Sequence, residues 1–235
     1  MYQGFHSQLI KRWQGSLFRV SDAYRINKRA KEYLHRLSKE GYLKRIYWGW
    51  YFIPAKSGYR DPWDFLTRDK AFKVIVKQTA ASIWNYDFVH RDVYRLAVKD
   101  RSYGKALESF AREMGWDFEV EYHERIPEYR KVDGLFVETI ESSIVSCISD
   151  WAFLDAFATL YFRRDDVDFE KLKAMGRWKR ISGSDTRVWT ALKYGCRLFN
   201  ESLGEEVFRV KVKGELSEDI RELIQEAVEK VIEFK

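Results

Sequence analysis

Between residues 28 and 50 the stretch KRAKEYLHRLSKEGYLKRIYWGW gathers side chains whose types and spacing suit a polyanion. The cations of Lys28, Arg29, Lys31, Arg36, Lys39, Lys44 and Arg45 can neutralise phosphates and release their counterions. Lys28, Arg29, Lys31, Glu32 and His35 are also of the types that reach base edges in a groove. Tyr47, Trp48 and Trp50 add flat rings that can lie against a sugar–phosphate backbone or a minor groove.

Other stretches imitate catalytic motifs and are judged by spacing. His90-Arg91-Asp92 has the letters of a kinase catalytic loop, but Ala97 stands where its asparagine belongs, and no DFG follows. Asp165, Asp166, Asp168 and Glu170 could gather a cation, yet the glycine and closing glutamate of a calcium loop are missing, so this run is expected to cap the next helix. Gly183-Ser184 follows those carboxylates, whereas a nucleotidyltransferase needs it before them. A magnesium nuclease would want carboxylates with a lysine; Asp133 and Glu138 have suitable spacing, but Ile140 takes the lysine position. Ser143 and Cys147 lack a recognisable base. Cys147 and Cys196 are far apart, without metal-ligand spacing, so neither a metal site nor a disulfide framework is expected. No catalytic residue, metal or cofactor is assigned.

The basic residues need elements to hold them. Phe5, Leu9, Ile10 and Trp13 recur at helical spacing until Gly15. Ser21 can cap a short helix carrying Ala23 and Tyr24 inward, and Asn27 can cap the next. From Lys28 to Glu40, Ala30, Tyr33, Leu34 and Leu37 form one apolar stripe, and the basic residues fall on the other side. Gly41 supplies a left-handed stop. A hairpin follows, Tyr42 to Tyr47 and Trp50 to Ile53, turning near Trp48-Gly49. Helix, short helix, basic helix and basic hairpin together predict a winged helix-turn-helix over 1–55.

Charge supports a separate role for this head. Residues 1 to 60 hold thirteen Lys and Arg against three acids, while the remaining 175 residues hold 29 against 33. A basic head on a mildly acidic body suits a polyanion-binding module. Apolar and charged fractions of 46% and 33% exclude a disordered chain. The start lacks a signal-peptide core, and the longest apolar run, residues 151 to 162, is too short to cross a bilayer. A cytoplasmic protein without a membrane partner is expected.

The segment LHRLSKEGYLKRIYWGWYFIP, residues 34 to 54, resembles the N-terminal winged helix of the AbiEi antitoxin family and related archaeal transcriptional regulators. Leu34, Leu37, Lys39, Gly41, Leu43, Arg45, Ile46, Gly49 and Tyr51 carry the resemblance, and the winged helix it implies, residues 1–55, spans about a quarter of the chain. FVETIESSIVSCISDWAFLDAF, from Phe136, is similar more loosely. The resemblance implies a repressor of its own operon that binds a double-stranded DNA operator. It also implies a neighbouring nucleotidyltransferase toxin, countered without a stable complex.

PAKSGYRDP, residues 54 to 62, reads as a linker. Beyond it, a mixed α+β body over 62–235 is expected. Strands are predicted at 71–77, 93–98, 117–123, 134–140 and 206–214, with helices at 103–115, 141–162, 168–175, 184–199 and 217–233. In the last helix Ile220, Leu223, Ile224, Ala227, Val228, Val231 and Ile232 form one stripe, which packs either on the body or on a second copy. A regulator is the first reading. The alternatives are a nucleic-acid-processing enzyme targeted by the head, and a module whose body binds a protein or small effector.

Overall fold

The computed structural model describes residues 2–89, 92–210 and 216–234, and it is mixed α+β with two sheets. Helix α1 (Tyr2–Trp13) buries Phe5 and Leu9, and Gly15, at φ 76°, turns the chain out of it. A strand that the sequence did not lead one to expect follows, β1 (Ser16–Arg19); four residues are too few to show a period. Helix α2 (Val20–Tyr24) buries Ala23 but leaves Tyr24 exposed rather than inward. Its first turn is closed by Asp22, which accepts from the Arg19 amide at 3.1 Å; Ser21 does not cap it.

Helix α3 (Ala30–Lys39) begins two residues later than its pattern suggests, leaving Lys28 and Arg29 in the preceding turn. Asn27 shapes that turn, its Oδ1 accepting from the Arg29 amide at 2.8 Å. Ala30, Tyr33, Leu34 and Leu37 are all buried, as the stripe requires. Gly41 adopts φ 78°, and the Tyr42 amide returns to the Leu37 carbonyl at 3.0 Å to stop the helix. Strands β2 (Lys44–Tyr47) and β3 (Trp50–Ile53) form the expected hairpin, with Gly49 at φ 72° in its turn. The head sheet is antiparallel in the order β1-β3-β2.

The chain continues with α4 (Pro62–Arg68), β4 (Ile75–Val76), α5 (Ala80–Trp84), β5 (Val93–Val98), α6 (Arg101–Met114), β6 (Asp117–Tyr122), β7 (Tyr129–Val132) and β8 (Leu135–Glu138). Then come α7 (Ile140–Ser149), α8 (Phe153–Phe162), α9 (Phe169–Gly176), α10 (Val188–Leu203) and α11 (Glu218–Glu233). The second sheet runs β6-β5-β4-β8-β7, with β5 and β6 parallel across α6. The strand expected at 71–77 shrinks to two residues. The helix expected over 141–162 divides at Trp151, whose φ of 64° cannot continue a right-handed helix. Residues 206–210 form no strand, and 211–214 of that expected strand lie outside the described residues. His90 and Arg91 of the kinase-like triplet do so too.

Two compact units result: Met1–Val76 with Asp92–Val137, and Lys77–Arg91 with Glu138–Lys235. They do not part at the 54–62 segment, because β3 is buried on both faces. Tyr51 and Ile53 join Phe5, Leu9, Phe18, Leu34 and Leu37 in the head core. Trp50 and Phe52 point the other way, with ring centroids 5.3 Å from Tyr103 and 4.6 Å from Phe110 of α6. Burying a large apolar side chain contributes roughly 1.5–3 kcal/mol, so this second face holds the head to α6. Gly104 lets the other side of α6 approach β6, since a Cβ there would meet the Tyr122 ring.

The second unit is helical. Ile220, Ile224, Ala227, Val228 and Val231 of α11 are buried, and α11 packs on α8 and α10 of its own chain. That leaves Leu223 as the exposed member of the stripe, so the stripe offers little to a second copy. Gly195 of α10 faces the Phe157 ring of α8 so closely that a Cβ would overlap it. Gly195→Ala should therefore destabilise this unit by about 1–3 kcal/mol, read as a lower urea midpoint; an unchanged midpoint would mean the two helices yield freely. Among the described residues no helix is long and apolar enough to cross a membrane.

Candidate nucleic-acid interface

The stripe of α3 fixes which side chains face outward. Lys31, Glu32, His35, Arg36 and Lys39 are all exposed, and Lys28 and Arg29 are exposed in the turn before them. Arg29 is partly neutralised by Glu32, Nε to Oε2 at 3.3 Å. Among the described residues Lys28, Lys31 and Lys39 have no carboxylate within ion-pair range. Arg25, exposed at the end of α2, belongs with them, and because it lies outside the helical pattern the sequence gives no sign of it.

The hairpin divides its candidates. Trp48 at the tip is 81% exposed, and the Arg45 guanidinium lies over its ring at 5.4 Å. Tyr47 is also exposed. Lys44, in contrast, is held by Glu113 of α6, Nζ to Oε2 at 2.6 Å. Trp50 is a correction: it is 1% exposed and cannot contact DNA. Its indole donates to Ser102 Oγ at 3.2 Å, and its ring packs on Phe72 and Tyr103. The signal lay in the sequence, since the four consecutive apolar residues WYFI suit a strand covered on both sides.

Charged groups beneath the hairpin lock the head to the rest of its unit. Arg19 pairs with Asp100 and lies over the rings of Trp50 and Phe72, at 4.9 and 4.4 Å. Burial works to raise the Asp100 carboxyl, but hydrogen bonds from the Tyr103 amide, Ser102 and Arg19 outweigh it and hold the group below its usual range. Asp69 accepts from the Ser16 hydroxyl, the Tyr103 hydroxyl and the Leu17 amide, the last at 3.0 Å. Here burial wins, and the Asp69 carboxyl is pushed above its usual range against those hydrogen bonds.

The catalytic look-alikes occupy ordinary structural positions. Glu138 is fully buried, and the hydroxyls of Ser142 and Ser146 donate to its two oxygens at 2.9 and 3.0 Å. Asp133 sits exposed in the turn between β7 and β8. Asp168 caps α9, as expected, by accepting from the Lys171 amide at 3.0 Å. Cys147 and Cys196 are buried and not joined in a disulfide, and burial raises the Cys196 thiol. No protein-family model, curated protein or solved structure matches the chain.

Proposed function

We propose that residues 1–55 form a winged helix-turn-helix that reads duplex DNA, and that the chain is a sequence-specific transcriptional regulator. The carrying observation is the outward face of α3, where Lys31, His35 and Lys39 follow Lys28 and no carboxylate of the described residues neutralises the lysines. The order α1-β1-α2-α3-β2-β3, with β3 central in the sheet, supports the same reading. In it α3 enters the major groove while Arg45, Tyr47 and Trp48 meet the backbone or minor groove. Repression of its own operon and neutralisation of a neighbouring nucleotidyltransferase toxin rest on the resemblance of residues 34–54 to AbiEi antitoxins. Co-expression with such a toxin tests that part: restored growth supports it, and unrelieved toxicity removes it.

Selection from random duplexes, followed by mobility-shift titration over a range of salt, tests DNA reading. Binding should favour the selected sequence over a shuffled one, and log affinity should fall by about 0.9 per phosphate neutralised for each log unit of salt. Equal affinity for both duplexes would overturn sequence-specific recognition. Glu113→Gln should release Lys44 for phosphate, tightening duplex binding severalfold and steepening the salt slope by about 0.9. An unchanged slope would place Lys44 away from DNA.

A further inference from the structure

Residues 177–187, RWKRISGSDTR, join α9 to α10 in the second unit. Arg180 and Arg187 form an antiparallel bridge, and the Ile181 amide donates to the Thr186 carbonyl at 3.0 Å, so the segment is a small hairpin. It is pinned from below: the Ser182 amide donates to the Ser149 carbonyl at 2.8 Å, and Ser149 Oγ donates to the Arg180 carbonyl at 3.1 Å. The Trp151 indole donates to the Ser182 carbonyl at 2.8 Å, and Ile181 is buried. What this loop presents is therefore held in place.

It presents Trp178, 78% exposed, with no ring partner and no indole hydrogen bond among the described residues. Arg187 donates to the Trp178 carbonyl at 3.1 Å, fixing the backbone that carries the indole. Arg177 and Lys179 flank it, both exposed and without a carboxylate partner among the described residues, while Arg180 is paired with Asp185. An open cleft of about 620 Å³ runs beside Trp178 along the loop. The eleven residues carry four cations against one acid, although the whole unit holds 18 cations against 20 acids. An aromatic face and adjacent uncompensated cations on a rigid support are the two ingredients of single-strand recognition.

We propose that this loop binds single-stranded nucleic acid, with an unpaired base stacked on Trp178 and adjacent phosphates on Arg177 and Lys179. A duplex keeps its base faces covered and would leave the indole unused; an acidic peptide would satisfy the cations alone. The site stands on residues of the second unit and does not depend on DNA reading by the head.

The test is fluorescence anisotropy of a labelled oligo(dT) with the full chain. Trp178→Ala should weaken binding about tenfold, with the melting temperature unchanged because the exposed ring has no ring partner to lose, and Trp178→Phe should recover most of it. Arg177→Ala with Lys179→Ala should flatten the salt slope by about 1.4, at about 0.7 for each single-strand phosphate. Alanine at Lys28, Lys31 and Lys39 should leave oligo(dT) binding in place. Wild-type affinity in Trp178→Ala, or loss seen only in the head variant, would overturn the proposal. So would polyglutamate competing as well as unlabelled oligo(dT), which would make the loop an acidic-polymer site. Failure of the head to select a duplex would leave these outcomes unaffected.

Discussion

Alanine at Lys28, Lys31 and Lys39 together should cost the chain about a hundredfold or more in affinity for its selected duplex at physiological salt, and lower the salt slope by about 3. The size follows from position. All three side chains are exposed on one side of the α3 segment, and none is neutralised by a carboxylate of the described residues. Each phosphate that the variant no longer neutralises keeps its condensed counterion, so the deficit should narrow as salt rises. None of the three contributes to the buried stripe of Ala30, Tyr33, Leu34 and Leu37, so circular dichroism and the melting temperature should stay as in the wild type. Wild-type affinity in this variant would take DNA reading away from α3.

The second large effect is on stability. Asp69→Ala should lower the unfolding free energy by roughly 3–5 kcal/mol, because hydrogen bonds to charged groups contribute about 1.5–3 kcal/mol each and their donors would be stranded. The Leu17 amide and the Tyr103 hydroxyl both lose their acceptor. Asp69→Asn separates charge from geometry, since its oxygen can still accept from Ser16 and Leu17, and its amide can donate to Tyr103. Burial raises the native Asp69 carboxyl, so the folded chain holds this proton more tightly than the unfolded chain. The stability it contributes is full below the ordinary carboxylate range and is lost as pH rises through the raised value. Asp69→Asn should therefore be at least as stable as wild type at pH 7, and that advantage should shrink as the solution is acidified. Urea titrations at several pH values decide it; an asparagine variant as damaged as the alanine one would show that the carboxylate charge itself is needed.

Residues with a period announced themselves. The α3 stripe, the Gly41 stop and the Trp48-Gly49 turn follow from spacing and from backbone regions that glycine favours. So do β5, β6 and α6, each long enough to show its pattern. Two short elements did not: β1 and α5 span only four and five residues, and the split between α7 and α8 turns on the backbone of one residue, Trp151.

The candidate site divides along the same line. Which residues of α3 face out is a property of that helix alone, and it was legible. Whether a hairpin residue is available depends on groups far away in sequence, namely Glu113 for Lys44 and Tyr103 with Ser102 for Trp50. No local pattern carries that information. The loop of Trp178 carries no local signal for a related reason: its interest lies in exposure and in pinning by Ser149 and Trp151, both of which appear only once the chain has folded.

The double-sided burial of β3 also bears on how such a gene can be rearranged. A recombination breakpoint in the proline-containing stretch after Ile53 would leave Trp50 and Phe52 without their cover on α6. The compact unit is instead Met1–Val76 together with Asp92–Val137, and Lys77–Arg91 lies between those two pieces in the sequence. A single crossover that keeps it whole must fall after Val137 and carries Lys77–Arg91 along, so this basic head is inherited with the scaffold that braces it and not as a stand-alone cassette.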